Sequence, residues 1–159
     1  MFPAELLPLT SIFGAVISQC IGFTVVTLIN IVQTGELHSN IIWIVPALFV
    51  QIAFLAGVAW TLASIGALLR DVRELIPIGL TAGMFFTPIF YDPSSLPELI
   101  RVIVGFNPMV PLLRAFRAAI IGSPADFVSF GVFSISSFVF CIIGFAAFAR
   151  VRGELADTL

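Results

Sequence analysis

The chain has 159 residues, of which 60% are hydrophobic and 10% charged, whereas soluble domains carry about 25% charged residues. A surface this poor in polar groups cannot face water over most of its area, so the surrounding medium is lipid. Net charge is −2, which offers no basic face for nucleic acid; lysine is absent, which excludes a Schiff base to retinal or pyridoxal phosphate.

Residues 1–8 hold two prolines and no positive charge, unlike a cleaved signal peptide. The first apolar segment runs over 9–32, the second over 41–69, the third over 75–90 and the last over 127–149. A helix needs about 20 apolar residues to cross a bilayer. The first and last fit directly, the second has length to spare for tilt, and the third is short, with Pro77 and Pro88 bending its ends. Between the third and last segments, 92–126 reads as two short helices broken at Asn107-Pro108. The first covers 96–106 with Glu98 and Arg101, and the second covers 109–121 with Arg114 and Arg117. Each is about 15 to 20 Å long, too short to cross a core of about 30 Å. A unit that enters and leaves on one side fits this pattern; a pair lying flat at the interface is the competing reading. The fold class expected is an all-α membrane protein, one domain over 1–159, with about four transmembrane helices and a re-entrant pair before the last.

Arginine placement sets orientation. The turn Arg70-Asp71-Val72-Arg73-Glu74 and the tail Arg150-Val151-Arg152 fall on one side, and the arginine-free loop 33–40 on the other. Both termini are thus expected in the cytosol. Arg101, Arg114 and Arg117 land outside and oppose this, unless the re-entrant pair buries them in protein.

The four segments contain no Asp, Glu, Lys, Arg or His. Proton-coupled transporters generally hold such groups within the membrane. The single histidine, His38, sits in a loop, so a zinc cluster such as HExxH is excluded, and no lysine means no P-loop. No catalytic residue, metal or cofactor is expected, and the chain is not expected to be an enzyme. Cys20 and Cys141 read as small apolar residues.

Uncharged polar residues do occur in the segments: Ser18, Gln19, Thr24, Thr27, Gln51, Ser134, Ser136 and Ser137 are expected to bond to neighbouring helices. Ala59, Ala63 and Ala67 form one small-residue ridge and Gly79 and Gly83 a GxxxG, both permitting close helix contact. Phe85, Phe86, Phe90 and Tyr91 cluster at the end of the third segment, and Phe127, Phe130 and Phe133 form a stripe at the start of the last. Both groups read either as interfacial anchors or as the lining of a path for a large amphipathic cargo. The charged turn at 70–74 reads either as a solvated turn or as a docking contact for a cytosolic partner.

Several motifs in order resemble one family. They are Leu68-Leu69-Arg70-Asp71-Val72-Arg73-Glu74-Leu75, then Phe85-Phe86-Thr87-Pro88-Ile89-Phe90-Tyr91, then Phe106-Asn107-Pro108-Met109, then Phe116-Arg117-Ala118-Ala119 and Gly122. Together they look like the second half of a type-2 ATP-binding-cassette exporter permease, closest to the subgroup exporting polysaccharides, O-antigens and teichoic acids. The opening Phe2-Pro3-Ala4-Glu5 is similar to the family's Phe-Pro-Arg-Glu, with Ala4 in place of arginine. The resemblance implies a homodimeric permease in the bacterial inner membrane. A separate cytosolic ATPase would energise it, and a lipid-linked glycan would pass along an aromatic path. It implies ATPase coupling through Glu5, Arg70, Asp71, Arg73 and Glu74, a substrate path at Phe85, Phe86, Phe90 and Tyr91, and a re-entrant region marked by Asn107, Pro108, Arg114 and Arg117. Against that family the chain is expected to lack two spans, an amphipathic helix and most of the coupling helix upstream. A drug or lipid exporter of the same fold and a non-transporting scaffold are the alternatives.

Overall fold

A computed structural model describes residues 7–69, 71–89, 91, 95–124 and 126–156. These form α1 (Leu7–Thr34), a 3-10 turn (Ser39–Trp43), α2 (Ile44–Leu68), α3 (Val72–Phe86), α4 (Glu98–Gly105), α5 (Met109–Ile121) and α6 (Phe127–Ala156). The protein is an all-α membrane protein. Among the described residues, three stretches are long and apolar enough to cross a bilayer: Leu9–Thr34, Ser39–Leu68 and Phe127–Gly153.

The third apolar segment departs from expectation. It forms α3, a helix of 15 residues, about 22 Å long and below the length of a full crossing. The cause is Pro88. The residue before a proline is pushed out of the helical region, and Thr87 accordingly takes φ −90° and ψ 126°. Pro77 lies inside α3 as its sixth residue, past the first turn, so its missing N–H removes one bond of the helix ladder. At the other sharp stop, Gly35 follows α1 with φ +72°, a conformation that suits glycine, and its N–H closes onto the Ile31 carbonyl at 2.8 Å.

The break at Asn107-Pro108 falls where the sequence places it, and α4 and α5 are bent by 89° across it. α5 is no surface helix. Val110, Leu112, Phe116, Ala118, Ala119 and Ile120 are buried on it, and it packs against α1, α2, α6 and the 3-10 turn. Its first half shares a cleft with Gln19 and Gln51. Its last turn meets Asn30, which stands eleven residues above Gln19 on α1, about 16 Å further along. α5 therefore runs upright beside the spans over roughly half their depth, which contradicts the flat-lying alternative for this helix. The core joins Ala47 and Val50 of α2, Leu112 and Phe116 of α5 and Phe133 of α6.

The most extensive helix pairing is α2 with α6. It is made at Gly57 and Gly144: a Cβ on Gly144 would lie 2.5 Å from the Gly57 carbonyl oxygen, and one on Gly57 2.9 Å from the Cys141 nitrogen. The backbones touch there, as small residues in membrane helices permit. The close face of α2 thus carries Ala53, Ala56, Gly57 and Ser64, all buried. Ala59 and Ala63 are half-buried and Ala67 is exposed, so the ridge that four-residue spacing suggested is off the contact face. Gly79 and Gly83 have open space around them. The span hydroxyls also differ from expectation. Ser18, Thr24, Ser134 and Ser137 each donate to the carbonyl four residues back in their own helix, and Ser136 to Phe133, three back. A hydroxyl can satisfy its donor this way without a neighbour. The longer amides do reach across. Gln19 and Gln51 exchange two bonds, at 2.9 and 2.7 Å.

Candidate functional site

The end of α3 and the start of α5 form one polar unit inside an otherwise apolar protein. A helix ending in mid-structure leaves carbonyls without partners, and a buried carbonyl must find a donor. Here each has one. The Gly83 carbonyl accepts the Thr87 N–H at 3.1 Å and the Thr87 hydroxyl at 2.9 Å. The Phe85 carbonyl accepts the Tyr91 hydroxyl at 3.2 Å. Beyond the helix, Thr87 O accepts from Ile89 N at 2.7 Å. The Pro88 and Ile89 carbonyls accept from the Arg117 guanidinium at 2.9 and 3.1 Å. Thr87 and Pro88 are buried although they lie in a connector.

Asn107 closes the unit from the other side. Its amide Nδ2 donates to the Thr87 hydroxyl oxygen at 3.0 Å, and its Oδ1 accepts the Met109 N–H at 2.9 Å. The second bond supplies a partner for a free N–H of the first turn of α5. The first makes Thr87 a relay, accepting from Asn107 and donating to Gly83. Beneath lies a cleft of about 220 Å³ between α1, α2 and α5, with the Gln19–Gln51 pair, Phe23, Thr87, Ile89 and Phe116 in its walls. Phe23 and Phe116 meet there with ring centroids 4.7 Å apart.

The far end of α5 is held as well. The Asn30 amide donates to the Ile120 carbonyl at 2.9 Å, and Gly122 takes φ +72° just past the helix, with the His38 ring where a Cβ would stand. Arg114 pairs with Asp126 at 3.6 Å, both ends well exposed, so the pair itself contributes little. Asp126 has a second task. It accepts the Ser129 hydroxyl at 2.6 Å and the Ser129 N–H at 3.0 Å, capping α6, and these bonds hold its carboxyl below the usual carboxylate range.

Residues 1–121 match the ABC-2 type transporter family. The chain belongs to that family. It is 20% and 18% identical to two Klebsiella pneumoniae proteins named O-antigen export system permease protein RfbA, each alignment covering 100% of this chain and 62% of the relative. A Myxococcus xanthus protein of the same name is 21% identical over 74% of this chain and 46% of its own length. The chain thus spans about three fifths of the length of the Klebsiella relatives it matches.

In this ABC-2 chain the sequence-predicted residues separate into groups. Asn107 and Arg117 come together with the end of α3, whereas Pro108 lines a cleft with Phe54 of α2 and Phe133 and Phe140 of α6. Arg114 does not join the end of α3 either; it faces Asp126 instead. Phe85 and Phe86 are exposed at the end of α3, and the half-buried Tyr91 folds its hydroxyl back onto Phe85. Phe90 lies outside the described residues, as do Glu5 and Arg70. Asp71 and Glu74 are exposed at the start of α3, and Arg73 lies in its first turn. Of the α6 aromatics, Phe133 and Phe130 pack inward, while Phe127 stays exposed. Phe133 is buried against Phe54 at 5.4 Å, Phe130 packs on the core, and Phe127 meets Trp43 at 5.1 Å. Two residues carry contacts that sequence reasoning did not assign. For Asn30 the usable signal is an amide in an apolar run, which also marks Gln19 and Gln51. For Thr87 it is a hydroxyl next to the helix-ending Pro88.

Proposed function

We propose that this chain is part of the membrane-spanning permease subunit of an ATP-binding-cassette exporter that moves lipid-linked polysaccharide across a bacterial inner membrane. The observation that carries this is membership of the ABC-2 type transporter family together with relatives named for O-antigen export. The absence of Asp, Glu, Lys, Arg and His from the four apolar segments supports a permease whose energy comes from elsewhere. That source is a separate cytosolic ATPase, and two permease copies form the working channel. The charged turn with Arg70, Asp71, Arg73 and Glu74, together with Glu5, meets the ATPase on the cytosolic side, where both ends of this chain lie. Phe85, Phe86, Phe90 and Tyr91 line the glycan path, because ring faces bind sugar C–H groups weakly and without fixed charge.

The test is genetic and biochemical. Loss of the gene should stop export of one surface glycan, and the whole permease should co-purify with a P-loop ATPase. Export that survives the loss, with no ATPase bound, sinks the proposal. A defect in drug or lipid efflux with normal surface glycan would reassign the cargo.

A further inference from the structure

We infer that Arg117 is a positioning residue that fastens the end of α3 to α5, so that the two travel as one body when the protein changes shape. α3 is weakly held along its length: among the other helices it packs appreciably only on α2, and lightly. Its side chains from Leu80 to Phe86 are exposed. What fixes it is its far end, where Thr87 and Pro88 are buried and three bonds cross from the re-entrant unit.

The chemistry of those bonds is specific. Both Arg117 bonds go to main-chain carbonyls just past the last turn of α3, the negative end of the helix dipole, where a cation is favoured. A guanidinium stays charged and its fork spans two adjacent acceptors, which a lysine ammonium does less well. Because the acceptors are backbone atoms of an unwound segment, the contact holds that segment unwound. α5 in turn is tied to α1 through Asn30 and Ile120. A displacement at the cytosolic start of α3 is therefore carried to the other end of α5 without slack at Thr87–Ile89. Only this last step rests on the transport proposal; the fastening does not.

The experiment uses the whole permease with its ATPase, in a background with Cys20→Ala and Cys141→Ala. Ile89→Cys and Leu113→Cys are then introduced, since both side chains line the same cleft. Oxidative cross-linking is followed by loss of maleimide labelling after denaturation. The rate should be the same within about twofold without nucleotide, with ATP and after vanadate trapping. Arg117→Gln should slow it roughly tenfold or more, as loss of a charged hydrogen bond implies, and Arg117→Lys should fall between. Thr87→Val, which removes the Asn107 acceptor with little change of shape, should slow it in the same direction and serves if Arg117→Gln does not assemble. A pair that never cross-links overturns the inference. So does a rate that changes severalfold on trapping, or an Arg117→Gln protein that links as fast as its parent. If no ATPase associates, the transport proposal falls while the comparison with and without Arg117 still decides the fastening.

Discussion

Gly144→Ala should loosen the protein more than its one added methyl group suggests. The new Cβ would stand 2.5 Å from the Gly57 carbonyl oxygen and 2.9 Å from the Thr61 hydroxyl, where ordinary contact begins at 3.4 Å. The Gly57 obstacle is backbone on the facing helix, so no rotamer change relieves it. α2 and α6 must part by roughly 1 Å, and overpacking of this kind costs about 1–3 kcal/mol. The parting also spreads along the pairing to Phe54–Phe140 and Trp60–Phe145, whose centroids are 6.1 and 5.0 Å apart. Because Trp60 sits at that seam, its fluorescence reports the change during thermal unfolding in detergent. A fall in Tm of several degrees is expected, at about 2–4 °C per kcal/mol for a chain of this size. Gly79→Ala is the control. Nothing lies within 4 Å of its Cβ, and it should leave Tm unchanged or slightly raised, since alanine favours helix. A Gly144→Ala protein as stable as its parent, or a Gly79→Ala protein that loses more, would refute the assigned seam.

Other outcomes follow from the polar contacts. Gln51→Leu should cost about 1–2 kcal/mol by leaving Gln19 unpaired in an apolar setting; adding Gln19→Leu should recover most of it, and additive losses in the double-mutant cycle would deny the coupling. Asn30→Leu strips the Ile120 carbonyl of its donor and should cost about 1 kcal/mol, read as faster amide exchange in the last turn of α5. Asp126 has a lowered pKa, so its cap on α6 is complete above the ordinary carboxylate pKa and is lost as pH falls through the lowered value. Exchange at the start of α6 should therefore rise only below about pH 4. Asp126→Asn, which keeps an acceptor without a titrating proton, should flatten that dependence. Replacing Phe86 and Tyr91 together with alanine should slow glycan export if their rings line the path, and unchanged export would leave Tyr91 only its bond to the Phe85 carbonyl.

Much of this protein was legible in the chain. Apolar length located the three spans, and two prolines, Pro88 and Pro108, marked the points where helices stop, because a ring without an N–H acts on its own neighbours wherever the chain goes. The order of short motifs was enough to suggest the family. What a residue touches was not legible in the same way. The alanine spacing on α2 was real but faced the wrong side, since several faces of that helix carry small residues and only the position of α6 selects one. The serines looked like bridges between helices, but a short hydroxyl reaches its own carbonyl first. Phe127, Phe130 and Phe133 looked like one stripe, but packing divides it: Phe133 is core, Phe130 is half-buried against it, and Phe127 stays exposed beside Trp43.

The sequence by itself determined the medium and the places where helices must stop, because those depend on composition and on local backbone chemistry. Only the tertiary structure decided that α5 stands upright in the core, that Gly57 and Gly144 make the seam, and that Arg117 reaches the carbonyls beyond α3. Each of those contacts joins residues 28 or more positions apart, and their meeting is set by how whole helices pack.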